Sequence, residues 1–445
     1  MIKRLLFIGI FTGAAHVTTL IVLKKLTGLI PLDVIKLIGE TDSLINFILS
    51  ILAAGLLMTS VREIATSQNW KHAFNVFQQA RVTLSILLIF LGVLGMFQSS
   101  YFLFAFAPVF AMNADYALYG RGLPITASIL AFSRVFVPFI ALFLASLYWP
   151  NQIIPIFVCS SVILYFFSGI VISKILGAPY FIKPSLQSLK LYLMTIPLGV
   201  VSFSYYFLGL GIIMIADHFY SAAVVAIAYI AIKIYVIFKG VLRILNQAFI
   251  SEMTNDLVCH KVDYLAFSAG TILVTGTSLF VNAFRGLFLD ARSGGTNGWV
   301  HMVGISCFLI SPLVSLTTKA ILEKKDRPYA YISLISLAVS AILCYFLSFI
   351  LSDEKGILLS IIVGELITIL GLLQILDKWG WLKQRFHYFT RNIFLLSVPI
   401  LIRLLAGDSK ITLLLSLSLY GILLFMFNRN LFSLQTEKKN EQKIS

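Results

Sequence analysis

Residues 356–376 read GILLSIIVGELITILGLLQIL, an almost unbroken apolar stretch with a single charge, Glu365, near its middle. A helix of ~20 residues at 1.5 Å each spans the ~30 Å hydrocarbon core of a bilayer. Apolar residues cover every side of that helix, so no polar face is left for water. Runs of the same kind recur at 5–23, 43–60, 82–98, 101–119, 122–148, 152–173, 191–215, 219–245, 264–284, 299–321, 329–351, 392–406 and 411–427. With 356–376 they make fourteen candidate spans. Twelve plus a re-entrant pair is the alternative, because 392–406 is short and holds Pro399 and Arg403. The runs lack the strict alternation of a membrane β-barrel. The expected fold class is therefore all-α and polytopic.

The whole composition agrees. The 445 residues are 59% hydrophobic and 12% charged, with a mean hydropathy of +0.95. Soluble chains sit near half apolar and a quarter charged, so soluble enzymes and disordered proteins are excluded. The net charge of +15 would suit a polyanion if the bases were clustered, but they lie between apolar runs. With the N-terminus placed in the cytoplasm, 23 Lys and Arg fall in connections on that side and 7 on the other. The asymmetry follows the positive-inside rule and predicts cytoplasmic termini. Lys3-Arg4 followed by Leu5–Leu23 reads as an uncleaved first helix, longer than a signal h-region.

The expected organisation is an N-lobe of six spans over 1–173, a cytoplasmic linker at 174–190 and a C-lobe of six spans over 191–376. An amphipathic connection follows at 377–391, then two extra spans over 392–427 and a polar cytoplasmic tail at 428–445. Cys159, Cys259, Cys307 and Cys344 are isolated, and no C-x-x-C, H-E-x-x-H, P-loop or hydrolytic triad occurs. Neither a metal nor a cofactor is expected. The short connections disfavour a membrane glycosyl polymerase, and no catalytic residues are assigned.

A charge at the bilayer centre costs ~2.5–3.5 kcal/mol on insertion scales, so it marks a functional residue by default. Arg134 lies one turn before Pro138, whose missing N–H frees the Arg134 carbonyl. It reads either as a cavity-lining cation beside a kink or as an ion-paired structural one. Lys233 and Lys239 lie in the eighth run, Lys233 the deeper. Glu365 either relays a proton or neutralises a base on another helix. His16, the single ionisable residue of 5–23, reads as a pH-sensitive group or a packing residue. Arg62-Glu63 closes the second run. These residues leave four bases (Arg134, Lys233, Lys239, Arg403) against Glu365 as the one deep acid, which suits an anionic substrate.

Two segments carry a family resemblance. Thr27-Gly28-Leu29-Ile30-Pro31, Gly55-Leu56 and Arg62-Glu63-Ile64-Ala65 form one; Ala216-Asp217-His218-Phe219-Tyr220-Ser221, Val225–Tyr229 and Asn246-Gln247-Ala248-Phe249 form the other. They resemble the first helix pair and the seventh-to-eighth helix hairpin of Wzx-type polysaccharide (O-antigen) flippases, within the superfamily that includes MATE transporters and lipid II flippases. The resemblance implies two six-helix lobes and a cationic cavity passing undecaprenyl-diphosphate-linked oligosaccharide by alternating access in a bacterial plasma membrane. By their depth and charge Arg134, Lys233, Lys239, His16 and Arg62 are the candidate substrate-binding residues, and Glu365 is the coupling candidate. The implied partners are the lipid-linked substrate, membrane lipids, a polysaccharide polymerase and a chain-length regulator, with no nucleic acid. A lipid II flippase and a cation-coupled drug antiporter are the rivals; the first helix has no acid for cation binding.

Overall fold

The computed structural model describes residues 2–94, 101–249, 256–289, 297–311, 313–380, 383 and 393–427. These residues are helical almost throughout, with no strand among them. The tail 428–445 and most of the connection 377–391 lie outside the described residues.

The first helices are α1 (Ile2–Leu29), α2 (Leu32–Ala53), α3 (Leu56–Thr66), α4 (Trp70–Leu94), α5 (Ala107–Ala111) and α6 (Asp115–Gly120). Then come α7 (Pro124–Tyr148), α8 (Ile153–Leu176), α9 (Lys190–Met194), α10 (Ile196–Tyr206), α11 (Ile212–Ala216) and α12 (Ala222–Phe249). They are followed by α13 (Asp256–Leu279), α14 (Val281–Phe288), α15 (Gly298–Ile310), α16 (Leu313–Leu322), α17 (Asp326–Ile350) and α18 (Glu354–Ile375). Helices Ser397–Ala406 and Lys410–Phe427 close the described chain. Ten helices among the described residues are long and apolar enough to cross a membrane, and the bent pair α13–α14 would make eleven. The count of fourteen is not reached by that measure. Ser397–Ala406 belongs to a shorter apolar helix, Ile393–Ala406, and α2 carries Asp33, Lys36, Glu40 and Asp42.

The solvent for which these helices are built is visible in α17. Ser333, Ser336 and Ser340 are buried, whereas Leu334, Ile335, Ile342, Phe346 and Phe349 are exposed. That order is inverted from a water-soluble helix: polar residues serve the helix contacts and apolar ones face outward. The chain is a multi-span membrane protein.

Contacts divide the chain into two compact units: Met1–Ile237, Phe288–Thr296 and Asp326–Ile367 form one, and Phe238–Leu287, Asn297–Lys325 and Thr368–Ser445 form the other. In the first, Phe11 of α1 meets Phe132 of α7 edge-on, and Phe139 of α7 meets Phe157 of α8. Ser204 of α10 donates to the Ser333 carbonyl of α17 at 3.1 Å. In the second, α13 and α15 touch at Gly304, where a Cβ would lie 1.8 Å from Thr277 Oγ1. Such small-residue contacts let membrane helices approach closely.

Prolines bend these helices less than their number suggests. Pro108, Pro124, Pro155 and Pro197 stand in first turns, where a missing N–H costs no helix bond. Helix α7 continues through Pro138. The interruptions fall elsewhere: at Gly55 between α2 and α3, at 112–114 between α5 and α6, and at Leu208 and Gly209 between α10 and α11. At Gly55, φ is +73°, and a Cβ would stand 2.5 Å from the Thr195 carbonyl oxygen. Only glycine satisfies both conditions.

Candidate functional site

Two of these interruptions face one cavity of about 190 Å³ in the first unit. Ala53 and Leu56 flank the Gly55 break, and Asn113 and Asp115 come from the α5–α6 break; all four line the cavity. A broken membrane helix leaves backbone polar groups that must find partners inside the protein. Helix α4 supplies them: Gln78 Nε2 donates to the Ala111 carbonyl at 2.7 Å, and Arg81 Nη1 donates to the Asn113 carbonyl at 2.6 Å. Gln78 in turn accepts from the Tyr116 hydroxyl at 2.9 Å.

Two arginines reach this cavity and their surroundings differ. Arg134, from α7, forms a forked ion pair with Asp115: Nη1 donates to Oδ1 at 3.0 Å, and Nη2 contacts Oδ2. Its Nη1 also donates to Asn113 Oδ1, and its guanidinium lies 5.1 Å from the Tyr165 ring centroid. Bidentate pairing of this kind fixes orientation as well as charge. Arg81 makes no ion pair with a carboxylate among the described residues. Its guanidinium stacks 5.3 Å from the Tyr116 ring, its Nε has no hydrogen-bond partner, and the residue is only 7% exposed. With Asp115 matched to Arg134, Arg81 leaves the cavity lining with one net positive charge.

A second polar cluster stands in the same unit between α2 and α12. The Lys233 ammonium pairs with Asp42 Oδ2. The same carboxylate accepts from the Tyr229 hydroxyl at 2.9 Å and from Asn46 Nδ2 at 3.1 Å. Gly39 makes room for this, since a Cβ there would lie 2.8 Å from the Tyr229 ring. Lys233 also lies 5.6 Å from the ring centroids of both Phe139 and Tyr229, and His16 is within its electrostatic reach. One residue further along α2, Ser43 Oγ donates to the Leu210 carbonyl at the α10–α11 break (2.7 Å), and the Tyr206 hydroxyl donates to the Ser43 carbonyl (2.8 Å).

Arg134 lines the cavity; Lys233 pairs with Asp42, and His16 lies within electrostatic reach of Lys233. Glu365 is buried and accepts from the Tyr235 hydroxyl. Lys239 is buried in the stretch of α12 assigned to the second unit. Arg62 is exposed on α3, 3.7 Å from Glu63, and does not line the cavity. Arg403 donates from Nε to the Leu279 carbonyl at 2.8 Å and lies 3.8 Å from Asp408.

The expected imbalance of four bases against one deep acid does not hold. Asp42 is buried beside Lys233, and Asp115 neutralises Arg134. By its place just before run 82–98, Arg81 reads as part of a connection, yet α4 begins eleven residues earlier at Trp70 and carries it inward. A helical register extended back from 82 to Trp70 would have found it. Asp42 immediately precedes run 43–60 and reads as interfacial for the same reason, whereas α2 begins at Leu32.

No family model matches the sequence, and no curated protein matches it. Solved structures do match the fold. The lipid II flippase MurJ in an inward closed conformation superposes with a TM-score of 0.61 at 12% identity, over 96% of this chain and 100% of that one. A MATE protein in complex with MaL6 gives 0.58 at 14% identity, over 86% and 97%. The outward-facing conformation of a multidrug resistance MATE family transporter of the MOP superfamily gives 0.54 at 14%, over 86% and 96%. The fold is that of the MATE and MurJ transporters.

Proposed function

We propose that the chain is a flippase that carries an undecaprenyl-diphosphate-linked oligosaccharide repeat unit from the cytoplasmic to the outer leaflet of a bacterial plasma membrane, with both termini cytoplasmic. The observation that carries this function is the cavity with Arg81 and Arg134 in its wall and one positive charge in excess. A diphosphate cannot enter hydrocarbon without charge-assisted partners. The isoprenoid tail stays in lipid while the headgroup crosses through the protein. A cytoplasm-negative potential favours outward anion movement by ~2.3 kcal/mol per charge per 100 mV.

The same chemistry suits a lipid II flippase, and the superposition on MurJ over 96% of the chain favours keeping that second function in view. Cation-coupled drug antiport is less well supported. Asp42 and Asp115, the acids nearest the two polar clusters, are already matched by Lys233 and Arg134. Deletion of the gene followed by analysis of lipid-linked intermediates tests the assignment. A completed repeat unit held on the cytoplasmic face is the expected result, accumulated lipid II favours the second function, and normal surface glycan with altered dye efflux overturns both.

A further inference from the structure

We propose that the cavity of the first unit is a binding site for a small phosphate-type oxyanion, with Arg81 as its recognising group and the Arg134–Asp115 pair as its fixed wall. The site is a subsite for the charged head only. Ligand pockets for drug-sized molecules run to ~300–1,000 Å³, and about 190 Å³ is too small for an oligosaccharide.

Three observations converge on Arg81. It is more than nine-tenths buried and has no carboxylate partner among the described residues; leaving a guanidinium so is costly unless something else supplies the negative charge. Its position is set from two sides, by the Asn113 carbonyl on Nη1 and the Tyr116 ring against its face. Its Nε, by contrast, has no partner. A planar guanidinium held in place at the cavity wall, its charge unmatched by a carboxylate among the described residues, matches the oxygens of phosphate. Hydroxyl-bearing Ser60 and Tyr165 also line the cavity. Arg134 has its fork engaged by Asp115 and Asn113, so it shapes the wall and leaves recognition to Arg81.

The anion has two possible sources, the diphosphate head of a lipid-linked substrate or a free phosphate. The first deepens the flippase assignment and rests on it. Binding to the purified full chain in detergent, measured by titration calorimetry, separates them with three probes: inorganic diphosphate, geranyl diphosphate and chloride. Wild-type protein is expected to bind at least one diphosphate, and Arg81→Gln to bind it tenfold or more weakly. The melting temperature of the unliganded variant, read alongside, separates lost binding from lost folding. Where Arg81→Gln does not fold, Arg81→Lys serves, because it keeps the charge, loses the fork and should still weaken binding several-fold. Tighter binding of geranyl diphosphate supports a lipid headgroup; equal or tighter binding of inorganic diphosphate supports a free anion. Unchanged affinity in the Arg81 variants, no binding of either diphosphate at millimolar concentration, or chloride competing as well as diphosphate overturns the site. Lost diphosphate binding together with normal glycan export in cells carrying Arg81→Gln leaves the anion site standing and removes its link to the flippase.

Discussion

Lys233 of α12 and Asp42 of α2, far apart in the chain, meet as an ion pair whose side chains are only 12% and 10% exposed. Removing one member of a buried pair costs ~3–5 kcal/mol, because the other charge is left uncompensated, whereas replacing both can be neutral or better. Lys233→Met and Asp42→Leu should each lower the melting temperature of the detergent-purified protein sharply. The double variant should recover much of the loss. Additive losses would show that the two side chains are not coupled.

Gly55 and Gly122 share a left-handed backbone, with φ of +73° and +72°, but differ in surroundings. Nothing lies within 4 Å of a Cβ at Gly122, whereas the Thr195 carbonyl blocks one at Gly55. Gly122→Ala should cost only the intrinsic penalty of that conformation, ~1–2 kcal/mol. Gly55→Ala should cost distinctly more, read as melting temperature, and should lower export. Equal losses at the two positions would dismiss the close approach of Thr195.

The Tyr235 hydroxyl donates to Glu365 inside the first unit. Tyr235→Phe should destabilise by ~1.5–3 kcal/mol, the range for a hydrogen bond to a charged group. Glu365→Gln keeps an acceptor for Tyr235 and should leave export within about twofold. If Glu365 instead relays the coupling proton, the Gln variant will lose the pH dependence of transport, which a flux assay at two pH values reads directly.

In the second unit, Asp408 accepts from the backbone N–H groups of Asn282 and Ala283 at 3.1 and 3.0 Å. It satisfies the start of α14 just beyond the 103° bend from α13. Asp408→Ala should cost ~0.5–2 kcal/mol, as loss of a helix cap does, and Asp408→Asn much less. Hydrogen exchange at Asn282 and Ala283 is the local measurement; unaltered protection in the Ala variant would reject the cap.

The sequence made the class of fold readable because hydrophobic runs of bilayer length need no partner to be recognised. Residues 356–376 and the run within α17 show this, each falling on a single long helix. What escaped was everything that depends on a partner elsewhere in the chain. Asp42 is affordable within α2 because Lys233, Tyr229 and Asn46 surround its carboxylate, and hydropathy sees only the charge. Arg81 looked like an orientation signal because bases before an apolar run usually are one. Arg134 stands out in the sequence by its depth in an apolar run, but its pairing with Asp115 does not, since Asp115 comes from a different helix. The helix breaks are equally hidden. Proline advertises itself in a sequence, while Gly55 interrupts the second helix through a steric demand set by Thr195.

The pairing of α2 with α12 has a consequence for how the protein is made. Lys36 and Glu40 sit one turn apart on α2 and can pair, at 3.4 Å, as soon as that helix forms. Asp42 cannot, because Lys233 is synthesised 191 residues later. At ~5–20 residues per second that delay is about 10–40 s. Throughout it the Asp42 carboxylate lacks its basic partner. A chain that ends before Ala222 therefore holds α2 without the base that α12 brings to Asp42, and the ion pair closes only when both helices are made.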